Sequence, residues 1–118
     1  MKKYSLILLM AALLSSPTVA QNAGFNYGLG TKSCGEFARD YAAHPDMVEP
    51  MYFAWAEGFL SGMNFEAFVA RAPSKLLLGG SPQMTAYKQT IRVYCDAHPL
   101  AAYSDAVTAL WQTLPWAN

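Results

Sequence analysis

Charge is what this chain has least of. Asp, Glu, Lys and Arg make up 14% of its 118 residues, where an ordinary soluble domain carries about 25%. Basic and acidic residues number 8 each, so no basic excess is available to condense onto a phosphate backbone, and nucleic acid is not an expected partner. Two cysteines are too few for a multi-bridge miniprotein or a Cys-only zinc site, and enough for one bridge. Also missing are a Gly-x-Ser-x-Gly elbow, a His-Glu-x-x-His helix, a phosphate-cradling glycine loop and any close carboxylate pair; the acids stand singly, as on a solvated face. No catalytic residue, cofactor or metal is therefore expected, and the chain does not read as an enzyme. Strand-period alternation is absent too, which leaves an all-α domain.

What is present begins with a leader. Lys2 and Lys3 precede an almost unbroken apolar run over 6–14, and Ser15, Ser16 and Pro17 lead to Thr18-Val19-Ala20, small residues of the kind a signal peptidase requires. Residues 1–20 are expected to be a cleaved secretory signal and the product periplasmic. The run is too short to span a bilayer, and no cysteine offers a lipid attachment point near the cleavage site. Membrane insertion after cleavage is not expected. The remaining 98 residues carry net charge −2 and 15 aromatic side chains, and 50 of them are apolar, so the apolar richness belongs to the domain itself. A chain of this size buries about two-thirds of its unfolded surface, which leaves some aromatics for a surface role.

The organisation predicted is an irregular arm over 21–30 and one helical domain over 31–118, built as a small, irregular four-helix bundle. Ser33 and Glu36 have capping-box spacing, and Cys34, Phe37, Ala38, Tyr41 and Ala42 share the face of a first helix ending before His44-Pro45. A second helix is expected from Glu49-Pro50, with proline in its first turn. In it Ala54, Gly58 and Gly62 form a smooth stripe suited to a close helix–helix contact, beside Trp55, Phe59 and Met63. Glu57 and Glu66 lie about 180° apart on one helical wheel, so a break is expected at Gly62 to Asn64, with Phe65, Phe68 and Val69 on a separate short turn. Residues 71–82 read as a loop around Leu76, Leu77 and Leu78. A third helix carries Met84, Tyr87, Ile91, Tyr94 and Cys95 up to His98-Pro99, and a fourth carries Leu100, Tyr103, Val107, Leu110, Trp111 and Leu114 up to Pro115.

Cys34 opens the first helix and Cys95 closes the third, so in an oxidising compartment they are expected to form one structural bridge. A Cys₂His₂ site from Cys34, His44, Cys95 and His98 is disfavoured, because exported thiols oxidise and each histidine sits at a helix C-terminus, where its charge is already accounted for. Trp55 and Phe59 are expected in the core, close to any dimer contact. Phe65, Phe68, Leu76, Leu77, Leu78 and Trp116 are the candidate partner surface.

Three stretches, Ser33-Cys34-Gly35-Glu36-Phe37, Trp55-x-x-Gly58-Phe59-Leu60-Ser61-Gly62-Met63-Asn64 and Tyr94-Cys95-x-x-x-Pro99 followed by Ala106 and Leu110, resemble the Rap/Tai family of small periplasmic immunity proteins. The plan is also similar to the HdeA/HdeB acid-stress chaperones, small exported helical proteins with one disulfide. The resemblance covers roughly residues 34–114. It implies a protein partner: a toxin whose active site the immunity protein occludes, usually as a dimer, or unfolded clients bound after acid loosens a chaperone dimer. A homodimer is thus one expectation, and a structural envelope role is the third reading. The glycine-bearing second helix fits the immunity family better, and the scarcity of lysine fits the chaperones worse. Cleavage after Ala20 is directly checkable: terminal sequencing of the exported protein is expected to begin at Gln21, and a product that still carries residues 1–20 would contradict the leader.

Overall fold

The start of the first helix organises the junction between the chain's two halves. In the computed structural model, which describes residues 26–118, a 3-10 turn at Gly28–Thr31 is followed by four helices: α1 (Cys34–Ala43), α2 (Pro45–Val69), α3 (Ser81–Ala97) and α4 (Tyr103–Thr113). The signal expected over 1–20 and the first half of the arm lie outside the described residues. The first-turn amides of a helix have no partner within it, and here each finds one. Ser33 Oγ accepts the Glu36 amide at 3.1 Å while Glu36 Oε2 accepts the Ser33 amide at 2.8 Å, the capping box that the spacing predicted. Cys34 and Gly35 donate to the Ala101 and Pro99 carbonyls at 2.8 and 2.9 Å, and Tyr103 N–H returns to the Lys32 carbonyl at 2.8 Å.

The Cys34–Cys95 disulfide lies in the same junction, with Cα atoms 4.6 Å apart and 61 positions between them in sequence. It joins α1 to the end of α3 where α1 already meets the α3–α4 connection. The two Ser33 bonds, backbone first, and then Lys32 hold the Glu36 carboxyl below its ordinary range. Its contribution to stability is therefore full above the unfolded carboxylate pKa and is lost as pH falls through the lowered folded value.

Inside, Phe37, Tyr52 and Tyr103 form a triangle of rings with centroids 4.9 to 5.0 Å apart. Around it Phe53, Leu60, Ile91, Val107 and Leu110 complete one core contributed by all four helices. Burial pushes the Tyr103 phenol well above its usual range, so it stays neutral. At the rim, Arg92 of α3 pairs with Glu49 of α2 and lies 5.4 Å from the Tyr41 ring.

The structure corrects three boundaries. First, α2 begins at Pro45, with proline in its first turn, and takes Pro50 into its body. Position 50 is only one turn from the start, so the amide that proline lacks removes little of the hydrogen-bond network. Second, α2 does not break at Gly62 to Asn64; it continues to Val69. With its core face centred on Phe53, Ala56 and Leu60, Glu57 and Glu66 fall on opposite flanks about 65° and about 115° away. Both are exposed, so a straight helix buries neither. Third, α4 starts at Tyr103, leaving Leu100 outside it and 96% exposed. Asp105 accepts the Ala102 amide at 3.0 Å and fixes that start. In addition, Ser81 and Pro82, read as loop, form the first turn of α3.

The described part of the arm belongs to the domain. Tyr27 O accepts the Trp55 indole N–H at 2.7 Å, and the Trp55 ring lies where a Cβ on Gly30 would stand. Glycine is thus required at 30 for the turn to approach α2. Replacing both cysteines by alanine is expected to lower the unfolding free energy by about 4 kcal/mol, the chain-entropy value for a loop of this length, in urea denaturation. A loss below about 1 kcal/mol would mean that the hydrogen bonds to Ala101 and Pro99 hold the junction alone.

Candidate functional site: an ordered apolar loop and an open groove

Between α2 and α3 the chain makes a loop that is pinned over residues 74–76 by hydrogen bonds to α2 and to the C-terminal segment. Asn64, on α2, presents its amide to the backbone of Lys75: Nδ2 donates to the Lys75 carbonyl at 2.7 Å, and Oδ1 accepts the Lys75 amide at 2.9 Å. This is the pairing that one strand residue offers another. On its other side the loop pairs with the C-terminal segment. Leu76 N–H donates to the Pro115 carbonyl at 2.7 Å and Ala117 N–H to the Ser74 carbonyl at 2.9 Å, around an isolated antiparallel bridge between Lys75 and Trp116.

The Lys75 side chain is only 6% exposed. A buried ammonium is costly unless its donors are answered. Its Nζ donates to the Leu114 carbonyl at 2.9 Å and the Gln112 carbonyl at 3.5 Å, at the end of α4 where the helix dipole is negative. The Trp116 ring centroid lies 3.6 Å from Nζ and that of Trp111 5.2 Å, so the remaining charge rests against aromatic faces. The Trp111 indole nitrogen, buried beside them, has no hydrogen-bond partner among the described residues.

This clasp fixes what the loop shows. Leu77 turns inward to a cavity shared with Phe53, Leu60, Met84 and Tyr87. Leu76, Leu78, Trp116 and Phe68 remain 39%, 43%, 55% and 76% exposed. Of the six expected surface residues, Leu77 is therefore drawn into the core, while Phe65 is exposed on α2.

A second feature runs along α2. Trp55 and Phe59 stack with centroids 4.9 Å apart and form one wall of an open groove of about 720 Å³, whose floor includes Ala54, Gly58 and Gly62 and whose one charged lining residue is Glu66. Among the described residues Gly58 and Gly62 meet no other helix, so the close helix–helix contact expected of the small-residue stripe is not made there. A Cβ built on Gly58 or Gly62 meets nothing within 4 Å among the described residues. Trp55 and Phe59 are half-buried, packed on the core from one side and facing the groove with the other.

Sequence reasoning missed Lys75. A lone lysine before three leucines reads as a solvated loop residue, and only the fold brings Asn64 and the end of α4 to it. No family model, curated protein or solved structure matches the chain.

Asn64→Ala removes both bonds to a buried backbone pair and is expected to cost about 2 kcal/mol; Lys75→Met, which leaves the Leu114 carbonyl unanswered, is expected to cost a similar amount. In both variants the Leu76 and Ala117 amides lose hydrogen-exchange protection before the core does. Unchanged protection in both would mean that the two-residue bridge alone orders the loop.

Proposed function

We propose that this chain is a periplasmic protein-binding protein of the immunity type, which neutralises a toxin by laying the ordered loop of residues 70–80 and the Trp116 segment against it. One observation carries the reading: apolar side chains are displayed on a loop already fixed by Asn64 and Lys75. A preordered surface loses little conformational entropy on binding, which is how a small interface reaches high affinity for one partner. Exposed Trp116 is of the residue type that anchors such contacts, and exposed Leu76, Leu78 and Phe68 add apolar area to the same end of the molecule's surface. Two further points support the reading. The disulfide accords with an oxidising compartment, and the three stretches that resemble the Rap/Tai family supply the fold's junction, α2 and the close of α3. An acid-stress chaperone instead needs a surface that opens when carboxylates protonate.

The test uses an effector encoded beside this gene, expressed in the periplasm of a host cell. Co-expressed wild-type protein is expected to protect, and Leu76→Asp/Leu78→Asp to fail, binding at least about 30-fold more weakly, the loss typical of a central anchor, with an unchanged thermal midpoint. Equal protection by the double variant would remove the loop from the contact. A wild-type protein that binds no effector but suppresses aggregation of an acid-unfolded client at about pH 2.5 would replace the immunity reading with the chaperone one.

A further inference from the structure

The open groove beside Trp55 starts where the described chain starts: Asn26 and Tyr27 form part of its wall. Asn26 Nδ2 donates to Ser104 Oγ at 2.6 Å, and the Tyr27 carbonyl accepts the Trp55 indole N–H at 2.7 Å. This end of the chain is therefore fixed between the first turn of α4 and the middle of α2. From there the groove follows α2 past Gly58 and Gly62 to Glu66. The 11 positions from Trp55 to Glu66 cover about 16 Å at 1.5 Å per residue.

We infer that the groove receives residues 21–25 of the same chain, with the α-ammonium group of Gln21 paired to Glu66. This placement rests on cleavage after Ala20, which belongs to the periplasmic reading above, and on nothing in the identity of the toxin. Such cleavage leaves five residues, Gln21 to Phe25, before Asn26. Extended, they reach about 17 Å at about 3.3 Å each, which is the length of the groove. Laid along it in order, Phe25 falls beside Gly58 and Phe59, Ala23 beside Gly62 and the nitrogen of Gln21 beside Glu66. None of the five is a proline or has a charged side chain, and the one bulky residue meets the aromatic end. Glycine at 58 and 62 keeps the floor low enough for a backbone to lie on it; a Cβ built at either position meets nothing within 4 Å among the described residues.

Charge selects this occupant. Glu66 is the one charged group that lines the groove, and among the described residues no Lys, Arg or His pairs with it. A free α-amino group, with an ordinary pKa of about 7.7 to 8, is largely cationic at neutral pH, and here it ends a segment that is otherwise uncharged. In the precursor the same nitrogen is a neutral amide that carries 20 further residues. The complementary charge exists only after cleavage, so covering of the groove becomes a consequence of export. Neither Leu76, Leu78 nor Trp116 lines this groove, and the surface proposed for the toxin stays open.

The test uses the protein purified from the periplasm, with its first residue established by intact mass. In the product that begins at Gln21, nuclear Overhauser contacts are expected from the Phe25 ring to the α-protons of Gly58 and Gly62. Gly58→Leu fills the floor without meeting a described neighbour and is expected to abolish the contact to Gly62 while keeping the fold. The ion pair has its own chemical readout. An N-terminal glutamine cyclises when its uncharged α-nitrogen attacks its own side-chain amide carbon; the bond from that carbon to the side-chain nitrogen breaks, and ammonia leaves with the proton that the α-nitrogen gives up. Pairing with Glu66 keeps the α-nitrogen protonated. Cyclisation at about pH 7, below the ordinary pKa, is therefore expected to be about fivefold slower in wild type than in Glu66→Gln, the factor that about 1 kcal/mol represents. Equal rates overturn the inference. So does a product that begins at Gln21 yet shows no contact from Phe25 to either glycine, and so do contacts that arise only between isotope-labelled and unlabelled copies, which put the segment in a second molecule. A product that keeps residues 1–20 has no such amine and overturns the cleavage as well.

Discussion

A helix in water needs one apolar side turned inward and one polar side turned outward, and α2 has apolar side chains on both. Over 25 residues it carries four acids and no base. Its inner side supplies Tyr52, Phe53, Ala56 and Leu60 to the core, and the other helices are arranged around that contribution. The described residues leave its outer side largely open. The groove beside Trp55, the bare glycines and the exposed Met51 and Phe65 all follow from that single shortage of covering surface.

Two fixed points let so small a domain present apolar surface without collapsing onto it. At one, the disulfide, the Ser33–Glu36 box and the Ala101 and Pro99 carbonyls lock the start of α1 to the α3–α4 connection. At the other, Asn64 and the buried Lys75 hold the long loop against the C-terminal segment. The first answers the amides of the α1 first turn with carbonyls and a side-chain oxygen, and the second answers the Lys75 ammonium with two carbonyls and two rings. The second is anchored on α2 itself, through Asn64.

Much of this was legible in the residues and some was not. Local rules placed the α1 cap and the ends of α1 and α3, because capping spacing and proline stops act within a few residues, and the cysteine pair followed from there being two cysteines in a chain expected to be exported. The smooth stripe of Ala54, Gly58 and Gly62 was visible, but its partner was not: spacing shows that a face is narrow without showing what meets it. The expected break at Gly62 came from taking two glutamates about 180° apart to mean that a straight helix would bury one of them or show charge on both faces, whereas both sit on open flanks of a continuous helix. Lys75 was invisible because its partners are 11, 37 and 39 residues away in sequence. Long-range capping of one helix end by a loop lysine leaves no periodic trace.

The ordered loop, held by Asn64 and Lys75, is the part of the surface that this account turns toward a foreign protein. Hydroxyl-radical footprinting of the protein alone and mixed with the effector encoded beside its gene reads that contact at single residues. The account predicts that Leu76, Leu78 and Trp116 become protected together in the mixture, while Met47 and Met51, on the far end of α2, stay as reactive as in the protein alone. Labelling of Leu76, Leu78 and Trp116 that the effector leaves unchanged would contradict it.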